Sequence, residues 1–348
     1  MKITILPATE FSTHLEEWDG LNINNDGVPV LSSIFVALLL KHFANDRVRL
    51  IVVRENGTAV LMALLESRRA GMLSTWQPGQ APLGLVVRDK RTPLAPLLHA
   101  LFAQYRWTAM IDLLQLDTLF LDLSTLPPDA QATPYIDTPW IDCRTTFDAY
   151  WELLGKNLKR NMKKDMAKLD KQAIAQRLVT VRAASDVASA ITLHGELESG
   201  GWKGEMDSAI RADNSQGRFY TDLLEAYCAQ GAGLMFQYYY DDEIVASDFG
   251  IANKNIVVIL KTAYRQSMRD TSPAQLLRRH YFPILFEDFP NGRIEFYGKA
   301  LEWHSRWTSS TRPIVHVSCY RSRAARTFLN AVRAAFPTLG HSRVAADN

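Results

Sequence analysis

The stretch from Leu234 to Phe286 constrains this chain more than any other. Leu234–Tyr240 is apolar and aromatic, as a strand should be. Asp241-Asp242-Glu243 is a polar turn, Ile244–Ile251 returns as a second strand, Asn253–Asn255 turns again, and Ile256–Tyr264 is a third. A polar loop, Arg265–Thr271, then leads into Ser272-Pro273, an N-cap and a first helical position, and Ala274–Leu285 continues with helical spacing. A three-strand meander therefore feeds its last strand into a helix N-terminus. The first N–H groups of a helix have no internal partner and form a ready phosphate site. Arg265, Arg269, Arg278 and Arg279 lie near this end. A well-capped helix with no ligand has the same local pattern, so both readings stay open.

Composition bounds the rest. At 348 residues the chain has room for two domains. Hydrophobic content of 47% with 22% charged residues fits a globular protein, and a net charge of +2 gives no bulk case for a nucleic-acid partner. Cys143, Cys228 and Cys319 are far apart, with no C-x-x-C and no Cys/His spacing for a metal, so a reducing cytoplasmic setting and no metal are expected. Met1–Pro7 is too short and too soon broken for a signal peptide, and Ile34–Leu40 is far short of a membrane span. There is no G-x-S-x-G and no G-x-x-x-x-G-K-[ST], so hydrolase and nucleotidase readings lack local support.

Along the chain, Ile34–Phe43 reads as a helix against the strand Val48–Arg54, with a hairpin turn at Glu55-Asn56-Gly57 and a return strand Thr58–Glu66. Pro93–Tyr105 has helical spacing, Met110–Leu123 reads as a strand with a short helix, and Leu126–Asp129 is a loop. Phe147–Gln172 reads as one helix with a stripe at Leu154, Leu158, Met162, Met166 and Leu169. Seven Lys/Arg lie between Lys156 and Lys171, against Asp165 and Asp170. That face is a solvated surface, a patch for an anionic partner (phosphates, a lipid headgroup or a membrane surface), or a nucleic-acid contact, for which the rest of the chain shows no basic surplus. Asp186–Glu198 and Gln216–Gln230 are further helices, separated by a break at Gly200-Gly201. Ile294–Tyr297 is a last strand. Arg321–Phe336 is a terminal amphipathic helix with Ala324, Phe328, Val332 and Phe336 spaced four apart, and a tail ends the chain.

Strand–turn–strand–turn–strand, then Lys261-Thr262-Ala263-Tyr264, a polar loop and Ser272-Pro273-Ala274-Gln275-Leu276-Leu277, resembles the acyl-CoA-binding core of GNAT-type acyltransferases. It is most similar to the CelD/BcsL subfamily, linked to cellulose and exopolysaccharide genes. Glu198–Gly204, containing Trp202-Lys203-Gly204, resembles that family's S-W-K-G segment, and Phe219–Leu224 comes at the usual distance after it. Glu302–Trp307 stands where the family closes with Y-K-x-x-W. The sequence departs in having Ala274 for the usual glycine, Gln266 for a common acid, and Trp303-His304 for Tyr-Lys.

The resemblance implies an α/β fold of two GNAT-like domains, each a mixed, mostly antiparallel sheet flanked by helices. Their expected bounds are 1–145 for a degenerate first domain and 146–320 for the acyl-CoA domain, followed by a helix over 321–340 and a disordered tail over 341–348. The first half has a strand-turn-strand-helix order like that of the second, although the letters carry no repeat. The implied reaction moves an acyl group from acetyl-CoA or a longer acyl-CoA to a primary amine of an amino sugar, an exopolysaccharide precursor or a lipid. The implied donor contacts are Lys261, Thr262, Ala263, Ser272, Pro273, Ala274, Gln275, Leu276 and Leu277. The alternatives are a Fem-type aminoacyl-tRNA-dependent transferase and a non-catalytic scaffold of a polysaccharide machine.

Such chemistry needs a polarised thioester carbonyl, a neutral amine and an acid for the leaving thiolate. The resemblance assigns the carbonyl to a backbone N–H within Ile259–Ala263. Tyr264, a phenol of pKa roughly 10, is the candidate acid, or else a packed strand-end tyrosine. Asp248, an acid inside an apolar strand, is a candidate base or the cross-strand partner of Lys261. Lys203 would hold an anionic group of the acceptor or stand exposed beside Trp202. Trp202, Glu198 and Trp303 are candidate acceptor contacts, and His304 is a base or a surface residue. A cytoplasmic enzyme is expected, peripheral to the inner membrane face if the basic helix 151–172 makes contact there.

Overall fold

The computed structural model describes residues 1–200 and 210–335. Among these the strands are β1 (Lys2–Pro7), β2 (Arg49–Glu55), β3 (Thr58–Arg69), β4 (Met72–Thr75), β5 (Val86–Arg88), β6 (Met110–Asp117), β7 (Ala130–Asp142), β8 (Gln176–Val181), β9 (Gly233–Tyr240), β10 (Glu243–Ala252), β11 (Ile256–Tyr264), β12 (Arg293–Glu295) and β13 (Thr311–Tyr320). The helices are α1 (Leu15–Asn22), α2 (Ser33–Phe43), α3 (Leu94–Gln104), α4 (Phe147–Leu153), α5 (Lys156–Lys171), α6 (Val187–Ser199), α7 (Ser215–Cys228), α8 (Pro273–Asp288), α9 (Glu302–Ser305) and α10 (Arg323–Ala335).

The chain forms two compact units, Met1–Thr138 with Arg312–Asn348, and Pro139–Thr311. The expected division put 146–320 in one domain. The two divisions part at β13, which pairs antiparallel with β6 of the first unit from Ile314 to Tyr320. Nothing in the letters of a late strand says which sheet it will join.

In the first unit the order is β1-β2-β3-β4-β6-β13, with β7 beside β13. The β2–β3 hairpin turns through Asn56 and Gly57, both at positive φ, as a two-residue hairpin loop requires. Ile51, Val53, Leu61, Leu97, Leu101 and Val317 are among the residues that bury its core. In the second unit the order runs from Trp140–Asp142 through β12, β11, β10 and β9 to β8. Leu234, Phe236, Tyr238, Leu276, Tyr281 and Leu285 are among its buried residues, as the alternating strands and the helical spacing of α8 require.

Three expectations are corrected. Phe147–Gln172 is two helices, because Leu154 is extended and Gly155 stands as the N-cap of α5. Glycine is costly inside a helix and acceptable at its start. Of the five-residue stripe, Leu158, Met162 and Leu169 are buried and Met166 is exposed. In α10, Phe328 of the expected apolar face is 67% exposed, while the side chains of Val332 and Phe336 and the tail lie outside the described residues.

Each unit repeats one device: a strand of the meander, then a helix, then a strand parallel to the first. In the first unit β4 and β6 are parallel over Met72–Ser74 and Met110–Asp112, with α3 between them in the chain. In the second, β11 and β12 are parallel over Ile256–Val258 and Arg293–Glu295, with α8 between them. The units differ beyond these short parallel bridges. β11 runs on past Val258 with a bulge opposite Phe249–Gly250 that leaves Leu260 out of register. A Cβ on Gly250 would sit 2.2 Å from the Val258 carbonyl oxygen, so only glycine allows this approach.

In the first unit the equivalent strand is interrupted. Trp76 N–H donates to Leu64 O, the chain makes an excursion, and Leu64 N–H donates to Leu85 O as β5 resumes beside β3. The excursion lies against β6 and leaves a small cavity of about 60 Å³, lined by Leu61, Leu83, Gly84, Val86, Leu113 and Gln115 among others. Gly84 N–H donates to Gln115 O at 3.0 Å, and a Cβ on Gly84 would lie 2.0 Å from the Leu114 carbonyl oxygen. Gln77 donates to Ala81 O and Leu83 O and meets the Gln115 side chain at 2.9 Å.

Gly250→Ala is expected to cost roughly 1–3 kcal/mol by overpacking. Gly79→Ala, where an added Cβ meets nothing within 4 Å, is expected to change stability by less than about 1 kcal/mol in either direction. Urea melts of both variants check the contrast.

Candidate functional site

The candidate site lies where β11 and β12 part. After Val258 and Glu295 no bridge joins the two strands among the described residues, while β11 stays paired with β10 up to Tyr264. From Ile259 to Tyr264 one edge of the β11 backbone is therefore not used by β12. Beyond Tyr264, a 3-10 helix, Gln266–Thr271, replaces the expected loop and leads to α8. Ser272 sits at φ +48, in the left-handed region, and its side chain makes no cap hydrogen bond. Its carbonyl instead accepts from Gln275 and Leu276 N–H at 2.9 and 3.1 Å. Pro273 has no N–H, and Ala274 N–H has no protein acceptor among the described residues. The serine does not cap α8 with its hydroxyl, contrary to expectation. Its backbone conformation forgoes that bond and keeps the helix N-terminus available to an anion.

The expected donor residues fall on both faces of β11. Lys261 places its ammonium 5.7 Å from the Tyr220 ring, and Ala263 packs with Leu197 and Ile244, both on the α6–α7 side. Thr262 Oγ1 accepts from Arg278 of α8 at 2.9 Å. Leu276 and Leu277 are fully buried core residues, and Gln275 accepts from the Trp307 indole. These side chains hold the strand and helix in place. What they leave for a ligand is backbone: the edge of Ile259–Tyr264 that β12 does not use, and the start of α8. Tyr264, at the strand end, is 37% exposed.

Asp248 is corrected. Expected as a base or as the partner of Lys261, it is fully buried and its cross-strand neighbour is Thr262. Its Oδ2 accepts from Arg278 Nε at 3.1 Å and from the Tyr281 hydroxyl at 2.7 Å. A buried carboxylate needs such partners. Burial, with the Asp248 charge adding to it, pushes the Tyr281 phenol well above its ordinary range, so it stays a donor. The Arg278 guanidinium also lies 3.9 Å from the Trp303 ring. Trp303, expected as an acceptor contact, thus packs on the guanidinium that holds Asp248.

His304 is corrected as well. It is buried, stacked on Trp303 at 3.5 Å, and its Nδ1 accepts from Leu301 N–H at 3.0 Å. Nδ1 is occupied as an acceptor, so the ring proton sits on Nε2 and the ring has no free lone pair for a base. Burial first, and the Arg278 charge second, push its pKa down to about 3.

Glu198 is buried too, with Oε2 accepting from Ile210 N–H at 2.9 Å and Oε1 3.9 Å from His194 Nε2. Trp202 and Lys203 lie outside the described residues. Of the four arginines expected near α8, Arg278 is internal, Arg279 stacks on Trp151 at 4.5 Å, and Arg265 pairs with Glu243 at 2.8 Å. Arg269 is the one left exposed. Sequence reasoning missed Tyr281, Gly250 and the buried His194–Ser247 contact of 3.1 Å. Tyr281 had a signal: it lies three residues after Arg278, on the same face of α8.

The second unit is similar to an N-acetyltransferase domain of the GNAT type, and each unit repeats the same order of strand, helix and parallel strand. Residues 156–288 match the family described as "Acetyltransferase (GNAT) domain". The fold is similar to that of FemX, at 8% identity with a TM-score of 0.60, covering 94% of this chain and 100% of that one. It is similar to L-PGS from Bacillus licheniformis at 11% identity and TM-score 0.52, covering 94% and 96%. A conserved protein of unknown function from Bacteroides thetaiotaomicron matches at 11% identity and TM-score 0.56, covering 92% and 100%. No curated protein matches in sequence. No group of metal-ligating side chains occurs among the described residues, and no described helix is long and apolar enough to cross a membrane.

Arg278→Met is expected to cost about 3–5 kcal/mol because it strands the Asp248 carboxylate. Adding Asp248→Leu should recover most of that loss in the same thermal melts. The unfolded chain takes up a proton on His304 near pH 6.5, whereas the folded chain resists until about 3. Stability is therefore lost as pH falls through that window. His304→Asn should reduce the drop in Tm between pH 7 and pH 4.5, the interval over which unfolded histidine titrates.

Proposed function

We propose that the second unit transfers an acyl group from acyl-CoA to a primary amine. The observation that carries this reading is the parting of β11 from β12, followed in the chain by an N-terminus of α8 whose Ala274 N–H has no acceptor among the described residues. A pantetheine arm carries amides, and an exposed strand edge can pair with them as an added strand would. A diphosphate suits the unsatisfied N–H and the positive end of the α8 dipole. In this reading a backbone N–H within Ile259–Ala263 polarises the thioester carbonyl. Nitrogen attack on that carbonyl forms the amide and the C–S bond breaks; Tyr264 gives its phenol proton to the thiolate, and the proton lost by the nitrogen passes through solvent to restore the phenol. Lys203 and Trp202 would face the acceptor, an amino sugar, a polysaccharide precursor or a lipid amine.

The first unit would take no donor, because its own excursion, with Gly84, lies against β6 in the matching place. A second reading is aminoacyl transfer, favoured by the fold likeness to FemX and L-PGS.

The test is a thermal-shift series with CoA, acetyl-CoA and a long-chain acyl-CoA. A ligand at 100 times its Kd should add about 2.7 kcal/mol of stability. Calorimetry should give one donor per chain. Ala274→Asp should keep or raise the Tm, since an acid suits a helix start, yet weaken the donor by about tenfold or more through like-charge repulsion. Tyr264→Phe should lower turnover without changing donor affinity. No shift with any of the three ligands would overturn this reading in favour of the second.

A further inference from the structure

The strongest feature that the site does not use is α5. It carries seven of the chain's 39 Lys/Arg on sixteen residues, against Asp165 and Asp170. The helix alone thus holds more positive charge than the net +2 of the whole chain, and everything outside it is net negative. Lys159 bonds to Glu152 at 3.1 Å. Lys156, Arg160, Lys163, Lys164, Lys168 and Lys171 are exposed and make no ion pair among the described residues. At about 100° per residue these six fall within an arc of about 140°, opposite the arc of Leu158, Met162 and Leu169. Those three are buried in the core of the second unit, so the cationic strip faces outward, over roughly 22 Å of helix. At its start Leu153, the last residue of α4, is 84% exposed, beside the half-buried Leu154.

We propose that this strip docks the protein on an anionic bilayer surface, with Leu153 dipping into the headgroup boundary. Three observations select a bilayer over other anions. Five of the six unpaired cations are lysine, a point charge suited to a diffuse surface potential, where arginine forks would suit bound phosphates. The exposed strip carries no aromatic ring on which bases could stack, as single-stranded nucleic acid would need. The apolar stripe of α5 is spent on the core, so the helix cannot insert, and contact through its polar face with a single leucine remains. This inference stands apart from the acyl-transfer reading, and neither depends on the other.

Sedimentation with sucrose-loaded vesicles of phosphatidylcholine, with and without phosphatidylglycerol, tests it. The full chain should pellet with the anionic vesicles only, and release as salt rises. Lys163→Gln with Lys164→Gln and Lys168→Gln should weaken binding about fivefold per lysine, together by about 100-fold, with an unchanged melt. The native cysteines are all buried, so Leu153→Cys accepts an environment-sensitive dye selectively, and its emission should shift blue on anionic vesicles alone. The proposal is overturned if the chain stays in the supernatant, binds neutral vesicles equally, or binds as well after the triple change. An unshifted dye, or binding of single-stranded RNA in place of vesicles, would also overturn it.

Discussion

Arg278 is the residue on which the second unit depends. It rises from α8 beneath the sheet and joins two strands at once, Asp248 of β10 and Thr262 of β11, while Trp303 covers its outer face. Tyr281, one turn along the helix, closes the remaining side of the carboxylate. Every part of the candidate site is tied to this knot: the strand that β12 leaves after Val258, the helix that starts at Pro273, and the C-terminal segment bearing His304. A buried ion pair adds little net stability compared with apolar packing, but leaving one partner unmatched is costly. In this unit the pair holds β10 and, through Thr262, β11 against α8.

The two units show how one order of elements can be opened or shut by a few residues. In both, a strand and its parallel neighbour are bridged over three residues each. In the second unit one residue of bulge, allowed by Gly250, carries β11 onward as a strand. In the first, the equivalent strand breaks between β4 and β5, and the extra chain is held against β6 by Gly84, Gln77 and Gln115. Glycine at each place meets a carbonyl that any side chain would strike. The same residue type thus serves a strand that runs on in one unit and an interrupted one in the other.

The strands and helices of the second unit are legible because each apolar run ends at a strong turn, Asp241-Asp242 or Asn253–Asn255, and because Pro273 fixes where α8 begins. The break at Gly155 and the pairing of β13 are not, since one depends on a single residue inside a good helical period and the other on tertiary choice. That Asp248 needs a partner can be read from its apolar strand, but the letters point to the wrong cation. Lys261 is close in sequence register, whereas Arg278 is brought in by the fold. Ser272 matches the statistics of caps and departs from them in its φ, which no letter announces. Lys203 and Trp202, singled out by resemblance, fall where the structure describes nothing.

Recognition through backbone, as proposed for the donor, would also account for a fold that persists at 8–11% identity. If the donor is read by a strand edge and a helix start, the side chains around it need only hold those two elements apart at the right distance. Many apolar sequences do that, provided glycine stands at the bulge and a proline or small residue opens the helix. Specificity must then come from groups that the shared core does not supply. On the proposed acyl transfer and docking, those are the acceptor contacts and the charged face of α5.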